Sequence, residues 1–312
     1  MIIPFVSQVN EDDKNLWLST LQAAMPAHVI ADMNALTEAD RESAKLAIVA
    51  NPNPNDLIKL PNIIWVQSLW AGVERLVAEL KDAKIRIVRM IDPQLAKTMA
   101  EAVFAWTLYL HRDMPLYRQQ QEAKIWRPCK PVMPQDRTIG ILGLGNLGRA
   151  AAARLREHGF KLCGWSRHPA TLDGMETYSG RDGFETVLSL SDMLVILLPL
   201  TVATRGLFNA DAFEKMRDGA SLINFARGPI IDDQALIANI ENKRLKHAVL
   251  DVFDAEPLPK DHPFWSNPNI TVLPHISAPT NHATASVIAA KNIAAFLKTG
   301  EIPKSVDTSL GY

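Results

Sequence analysis

The chain has 312 residues and a mass of 34.6 kDa, with 47% hydrophobic and 21% charged residues, which suits two folded domains and excludes a disordered chain. Thirty-three Lys+Arg against 34 Asp+Glu leave a net charge of −1, so no bulk basic field exists to hold nucleic acid. No apolar run reaches the ~18 residues of a membrane span, the start Met1-Ile2-Ile3-Pro4-Phe5 is unlike a signal peptide, and Cys129 and Cys163 without a CxxC suit neither a disulfide framework nor a thiolate zinc site; the expectation is a cytoplasmic, metal-independent protein.

The first ninety-odd residues alternate short apolar runs with amphipathic ones. Ile2–Ser7, Leu46–Ala50, Ile63–Gln67 and Ile85–Met90 read as strands, and Lys14–Ala24 and Val73–Ala83 as helices between them. Asn51-Pro52-Asn53-Pro54-Asn55 reads as a loop from its turn residues. Alternation of this kind predicts a parallel sheet covered on both faces.

Thr98–Leu110 follows as a helix, with Val103, Trp106 and Leu110 on one face, and then a connection broken by Pro128, Pro131 and Pro134. Thr138–Leu142 is a strand of the buried type, and Leu144, Leu147, Ala151 and Leu155 mark a face of the next helix. Further strands are expected at Lys161–Trp165, Met193–Leu198, Ser221–Phe225, His247–Val252 and Ile270–Leu273, and the tail carries an amphipathic helix through Val287 and Leu297.

Gly143-Leu144-Gly145-Asn146-Leu147-Gly148 fits G-x-G-x-x-G, and it follows a strand and opens a helix, the context that gives the hexapeptide meaning. Gly143 suits a tight turn, Gly145 close approach of a pyrophosphate, and Gly148 close packing of helix on strand; the helix N-terminus supplies donors to the phosphates. Where an NAD site usually carries an acidic residue, this chain has Trp165-Ser166-Arg167-His168. No carboxylate is there to repel a 2′-phosphate, Ser166 can donate to one, and Arg167 offers a planar fork to its oxygens. NADP(H) is therefore the expected cofactor.

Three polar residues lie just after strands of the same half: Arg227 in Asn224-Phe225-Ala226-Arg227-Gly228, Glu256 in Asp251-Val252-Phe253-Asp254-Ala255-Glu256-Pro257, and His275 in Leu273-Pro274-His275-Ile276-Ser277. In a doubly wound sheet the carboxyl ends of the strands converge, so residues this far apart in sequence can meet. Their joint placement beside a nicotinamide-type site makes them candidates for the chemistry.

The order of the glycine loop, Leu198-Pro199-Leu200-Thr201, Asn224–Gly228, Asp251–Pro257 and Pro274-His275 resembles the D-isomer-specific 2-hydroxyacid dehydrogenases from about Gln67 to His275. Within them it is most similar to the glyoxylate/hydroxypyruvate reductases of the bacterial A type. The resemblance implies an α/β fold of two doubly wound parallel-sheet domains. A flavodoxin-like substrate domain would be formed by residues 1–97 and 278–312, and an NADP-binding Rossmann domain by 98–277. It implies NADPH-dependent reduction of a small 2-oxoacid, glyoxylate or hydroxypyruvate, by hydride transfer, with three catalytic residues: His275 as general acid, Glu256 paired with its imidazole, and Arg227 on the substrate carboxylate and carbonyl; Pro199 and Asp251 would lie at the cofactor, Asp251 on the nicotinamide carboxamide. Trp70, Ala71 and Gly72, in a turn after a strand, would bind the substrate acid with Arg227, although Trp70 stands where a small residue is common. A homodimer through the cofactor domains is implied, with Val103–Leu110 and Trp126 as candidate contacts. A formate dehydrogenase carries Gln where Glu256 stands, and a phosphoglycerate dehydrogenase often appends a further domain. A nucleotide-sensing scaffold retains the same trio, so turnover has to separate that reading from an enzyme.

Overall fold

The computed structural model describes residues 1–307; positions 308–312 of the expected substrate domain lie outside the described residues. The chain divides into two compact units, Met1–Leu95 with Thr280–Tyr312, and Ala96–Pro279. The first division falls inside one continuous helix, Pro93–His111. No turn residue marks it, and the expected boundary at 97/98 stands two residues further on.

In the first unit five strands, β1 Ile2–Ser7, β2 Val29–Asp32, β3 Leu46–Ala50, β4 Trp65–Ser68 and β5 Arg86–Val88, pair in the order β2-β1-β3-β4-β5, all parallel. This is the flavodoxin-like order, with its switch point between β1 and β3. Alternate residues face two cores. Ile3, Phe5, Ile48 and Trp65 join one with Trp17 and Ile293 from the helices Glu11–Ala24 and His282–Thr299, while Val6, Ala47, Val49 and Val66 join the other.

In the second unit seven strands, β6 Thr138–Leu142, β7 Lys161–Trp165, β8 Glu176–Tyr178, β9 Met193–Ile196, β10 Ala220–Asn224, β11 Leu245–Leu250 and β12 Ile270–Val272, form a parallel sheet in the order β12-β11-β10-β9-β6-β7-β8. The chain runs outward from β6 through β7 and β8, then returns to β9 on the other side of β6, which is the Rossmann switch. Ile139, Ile141, Val195, Ile223 and Val249 face one core; Leu194, Ile196, Leu222, Ala248 and Leu250 face the other. Burial on both faces is why these strands read as continuous apolar runs.

Two strands escape the sequence reading, β2 and β8. Both are sheet edges: β2 has a run of only three apolar residues, of which Ile30 alone is buried, and β8, Glu176-Thr177-Tyr178, has no apolar run and no buried residue. The expected loop Asn51–Asn55 ends at Asn53, whose side chain caps a short helix, Pro54–Ile58, that opens on a proline at its first position. The helix expected over Val73–Ala83 is confined to Glu74–Glu79. Val103 and Leu110, named above as candidate dimer contacts, are buried in the core of their own unit, whereas Trp126 is 99% exposed. Among the described residues no helix is long and apolar enough to cross a membrane, and no group of His, Cys, Asp and Glu could hold a metal ion.

Candidate active site

The glycine loop leaves β6 and enters the helix Asn146–Glu157, of which Asn146 and Leu147 are the first two residues. Gly143 has φ +103°, outside the range of ordinary side chains, and a Cβ there would meet the Leu197 carbonyl oxygen at 2.6 Å. At Gly145, the residue before the helix, nothing lies within 4 Å of where a Cβ would stand. That open space beside a helix N-terminus fits a pyrophosphate. At Gly148 a Cβ would meet the Gly143 carbonyl oxygen at 1.9 Å, so the third glycine lets helix and loop touch.

At the end of β7 the Ser166 hydroxyl donates to the His168 carbonyl at 2.6 Å and the Arg167 Nε lies 3.3 Å from the His168 Nε2. Both side chains therefore belong to one short exposed turn. Pro199 follows β9, and its carbonyl accepts from the Thr204 hydroxyl at 2.7 Å, while the Thr201 N–H donates to the same hydroxyl at 2.8 Å. Thr204 thus closes this loop on itself, a role the spacing Thr201-x-x-Thr204 could have signalled.

Arg227, Glu256 and His275 follow the three neighbouring strands β10, β11 and β12. Asn224, the last residue of β10, accepts from the Ala226 N–H and donates to the Arg227 carbonyl, each at 3.1 Å, and so shapes the turn that presents the guanidinium. The turn is pressed against the segment leading to Glu256: a Cβ on Gly228 would stand 2.0 Å from the Phe253 carbonyl carbon and 2.4 Å from the Asp254 nitrogen. Only a glycine permits that approach, which sequence reasoning did not identify.

Glu256 is held at both oxygens. Oε1 accepts from the Phe253 N–H at 2.9 Å, and Oε2 lies 2.8 Å from the His275 Nδ1. Burial alone would push this carboxyl up; the hydrogen bonds from His275 and Phe253 and the charges of His275 and Arg227 outweigh it and hold the group below its ordinary value. His275 is held above its ordinary value, first by its hydrogen bond to Glu256, against burial and the Arg227 charge, with the charges of Glu256 and Asp251 assisting. An imidazolium whose Nδ1–H donates to a carboxylate keeps its Nε2–H for another acceptor, and 51% of the His275 side chain is exposed. The arrangement can deliver a proton near neutral pH. The Arg227 guanidinium, whose charge acts on both partners, can receive an anion beside it.

Asp251, buried to 2% exposure at the end of β11, accepts from the Ile276 N–H at 2.8 Å and the Ser277 N–H at 2.9 Å. In the first unit, Trp70, Ala71 and Gly72 are half-buried in the turn between β4 and the helix Glu74–Glu79. The Trp70 N–H donates to the Ser68 hydroxyl at 3.0 Å, its carbonyl accepts from the Met90 N–H at 3.0 Å, and its ring meets Trp17 edge-on at 5.9 Å.

Residues 104–277 match the family model of the D-isomer specific 2-hydroxyacid dehydrogenase, NAD binding domain. The chain is 34% identical over 302 residues, 95% of its length and 96% of the relative's, to glyoxylate/hydroxypyruvate reductase A of Yersinia enterocolitica. Among solved structures it is similar to a D-isomer specific 2-hydroxyacid dehydrogenase from Xanthobacter autotrophicus Py2 in complex with NADPH and MES, at TM-score 0.93 and 36% identity over 99% of both chains. It is also similar to an NADPH-dependent glyoxylate/hydroxypyruvate reductase from Sinorhizobium meliloti in complex with NADP and sulfate, at TM-score 0.91 and 30% identity over 100% of this chain and 99% of that one. A glycine loop at a Rossmann switch point, an acid–imidazole pair and these matches lead to one conclusion: the chain belongs to the D-isomer-specific 2-hydroxyacid dehydrogenase family.

Proposed function

We propose that the protein is an NADPH-dependent reductase of small 2-oxoacids, taking glyoxylate to glycolate and hydroxypyruvate to glycerate. The observation that carries this reading is the 2.8 Å pair of His275 and Glu256 in a member of this family, because reducing a ketone needs a proton as well as a hydride. When bound, NADPH supplies the hydride.

The residues of this chain do the rest. Gly143, Gly145, Asn146, Leu147 and Gly148 hold the pyrophosphate, Ser166 and Arg167 the 2′-phosphate, and Pro199 and Asp251 the nicotinamide end. Arg227 binds the substrate carboxylate in two-pronged fashion and polarises the neighbouring carbonyl. His275 gives the proton from Nε2 to the carbonyl oxygen as it gains charge, while Glu256 keeps the ring charged and oriented through Nδ1. Trp70, Ala71 and Gly72 bind the acid in the turn after β4, and the width of Trp70 restricts the substrate to two or three carbons.

In this reading the unit Ala96–Pro279 is the cofactor domain and the other unit the substrate domain. The protein acts in the cytoplasm as a homodimer, joined through the surface that carries the exposed Trp126 and Ile125. A spectrophotometric panel of 2-oxoacids with NADPH and NADH tests the proposal. Substantial NADPH oxidation with glyoxylate or hydroxypyruvate supports it; cofactor binding without turnover of any 2-oxoacid defeats it.

A further inference from the structure

We infer that Asp251 is a positioning residue for His275, its buried carboxylate fixing the backbone that carries the imidazole. The inference rests on the reading of His275 as proton donor. It adds to the carboxamide contact proposed for Asp251 without displacing it, since each carboxylate oxygen keeps a further lone pair.

His275 has φ +54°, in the left-handed region that residues with a side chain adopt only when their surroundings impose it. The packing on either side, Leu273 against the core and the buried Ser277, leaves Pro274, His275 and Ile276 themselves exposed. The preceding strand β12 is three residues long and lies at the sheet edge, and the following side chain, Ile276, is 57% exposed. Backbone hydrogen bonds hold the turn instead. On one side the Leu273 N–H donates to the Leu250 carbonyl at 2.8 Å; on the other, the Ile276 and Ser277 N–H groups donate to the two Asp251 oxygens. Asp251 is anchored in turn, its own N–H donating to the Asn224 carbonyl at 3.1 Å.

The same short segment also fixes the other partner. Phe253, two residues after Asp251, supplies the N–H that holds the Glu256 Oε1. The imidazole and its carboxylate are thus both referenced to Asp251–Phe253, and their 2.8 Å separation is set there rather than by the loops that bear them.

Amide hydrogen exchange in the wild-type protein without cofactor is the first test. Although Ile276 is exposed, its amide should exchange at least ~100-fold more slowly than in an unstructured chain, as should that of the buried Ser277; free exchange of the Ile276 amide overturns the inference. Asp251→Asn keeps one acceptor and sets an NH2 group against the other N–H, while Asp251→Glu keeps the charge but moves both oxygens. Each should lower kcat for glyoxylate reduction ~10–100-fold, the scale of a small misplacement of a reacting group, and move the basic limb of the pH profile to lower pH.

Placed in a His275→Ala background and assayed at saturating NADPH, Asp251→Asn should lower residual turnover by a factor at least ~3-fold smaller than in the wild-type background, because the share of its effect that acts through the imidazole is gone while any cofactor contact is lost equally in both. Equal losses in both backgrounds would assign Asp251 to the cofactor alone and defeat the inference. Should Asp251→Asn fail to fold, Asp251→Glu and the wild-type exchange rates still decide. Protected amides in a protein that reduces no 2-oxoacid would fault the proposed reaction and leave the clamp standing.

Discussion

The His275 Nδ1 and the Glu256 Oε2 lie 2.8 Å apart, joining the ends of two strands that are neighbours in the sheet. The pair shifts both groups away from their ordinary values near 6.5 and 4.5, the imidazole upward and the carboxyl downward. Reduction needs the protonated ring, so kcat/KM should be full below the raised His275 pKa and fall as pH rises through it. Glu256→Gln removes the charge and leaves at most a neutral hydrogen bond to the ring, so the basic limb should move to lower pH. His275→Ala should cost ~10²–10⁴-fold in kcat. A profile unmoved by Glu256→Gln would contradict the pairing.

The same pair has a signature in stability. A raised histidine stabilises the fold fully below its unfolded value, and that contribution is lost as pH rises through the folded one. A lowered carboxyl stabilises above its unfolded value, and that contribution is lost as pH falls through the folded one. The two overlap between the lowered Glu256 and the raised His275 values, and urea unfolding of wild type against Glu256→Gln should differ most in that window.

A second histidine titrates in the opposite sense. His247 is 3% exposed, its Nε2 lies 2.8 Å from the Thr271 hydroxyl, and burial, helped by the Lys246 charge, pushes it down to about 4. It folds neutral, so its contribution is complete above about 6.5 and is lost as pH falls toward 4, by about 3 kcal/mol. His247→Gln should remove about that much of the acid sensitivity of denaturant unfolding; an unchanged pH dependence would place the acid-sensitive group elsewhere.

Cofactor choice is expected to rest on the turn after β7. With Ser166 and Arg167 donating to a 2′-phosphate, each bond contributing about 1.5–3 kcal/mol, NADPH should be preferred ~10²–10⁴-fold over NADH. Arg167→Asp should reverse the ranking of kcat/KM. Parity of the two cofactors in the wild type would remove the assignment.

Gly228→Ala tests the junction between the arginine turn and the Glu256 segment. A methyl group 2.0 Å from the Phe253 carbonyl carbon must part them, so kcat should fall ~10²-fold or more. Steady-state kinetics beside thermal unfolding would separate this from simple loss of folded protein.

Strands buried on both faces, such as β1, β3, β6 and β7, were legible to the residue because their apolar runs have no other use. The edge strands β2 and β8 were not, since β2 buries one of its four residues and β8, Glu176-Thr177-Tyr178, buries none. In the candidate site the residue types declared themselves: the glycines, and Arg227, Glu256 and His275 after apolar runs. What holds them did not. The Asp251 bonds to Ile276 and Ser277 and the Gly228 contact with Phe253 join positions roughly 25 apart, and no local pattern encodes such a meeting.

The imidazole stands beyond β12, a three-residue strand with a neighbour on one side only. Edges of this kind fray at lower free energy than a sheet interior. Mild heat or low urea should therefore silence the enzyme while its circular dichroism is still native, and dilution should restore it at once, because the interior strands never come apart.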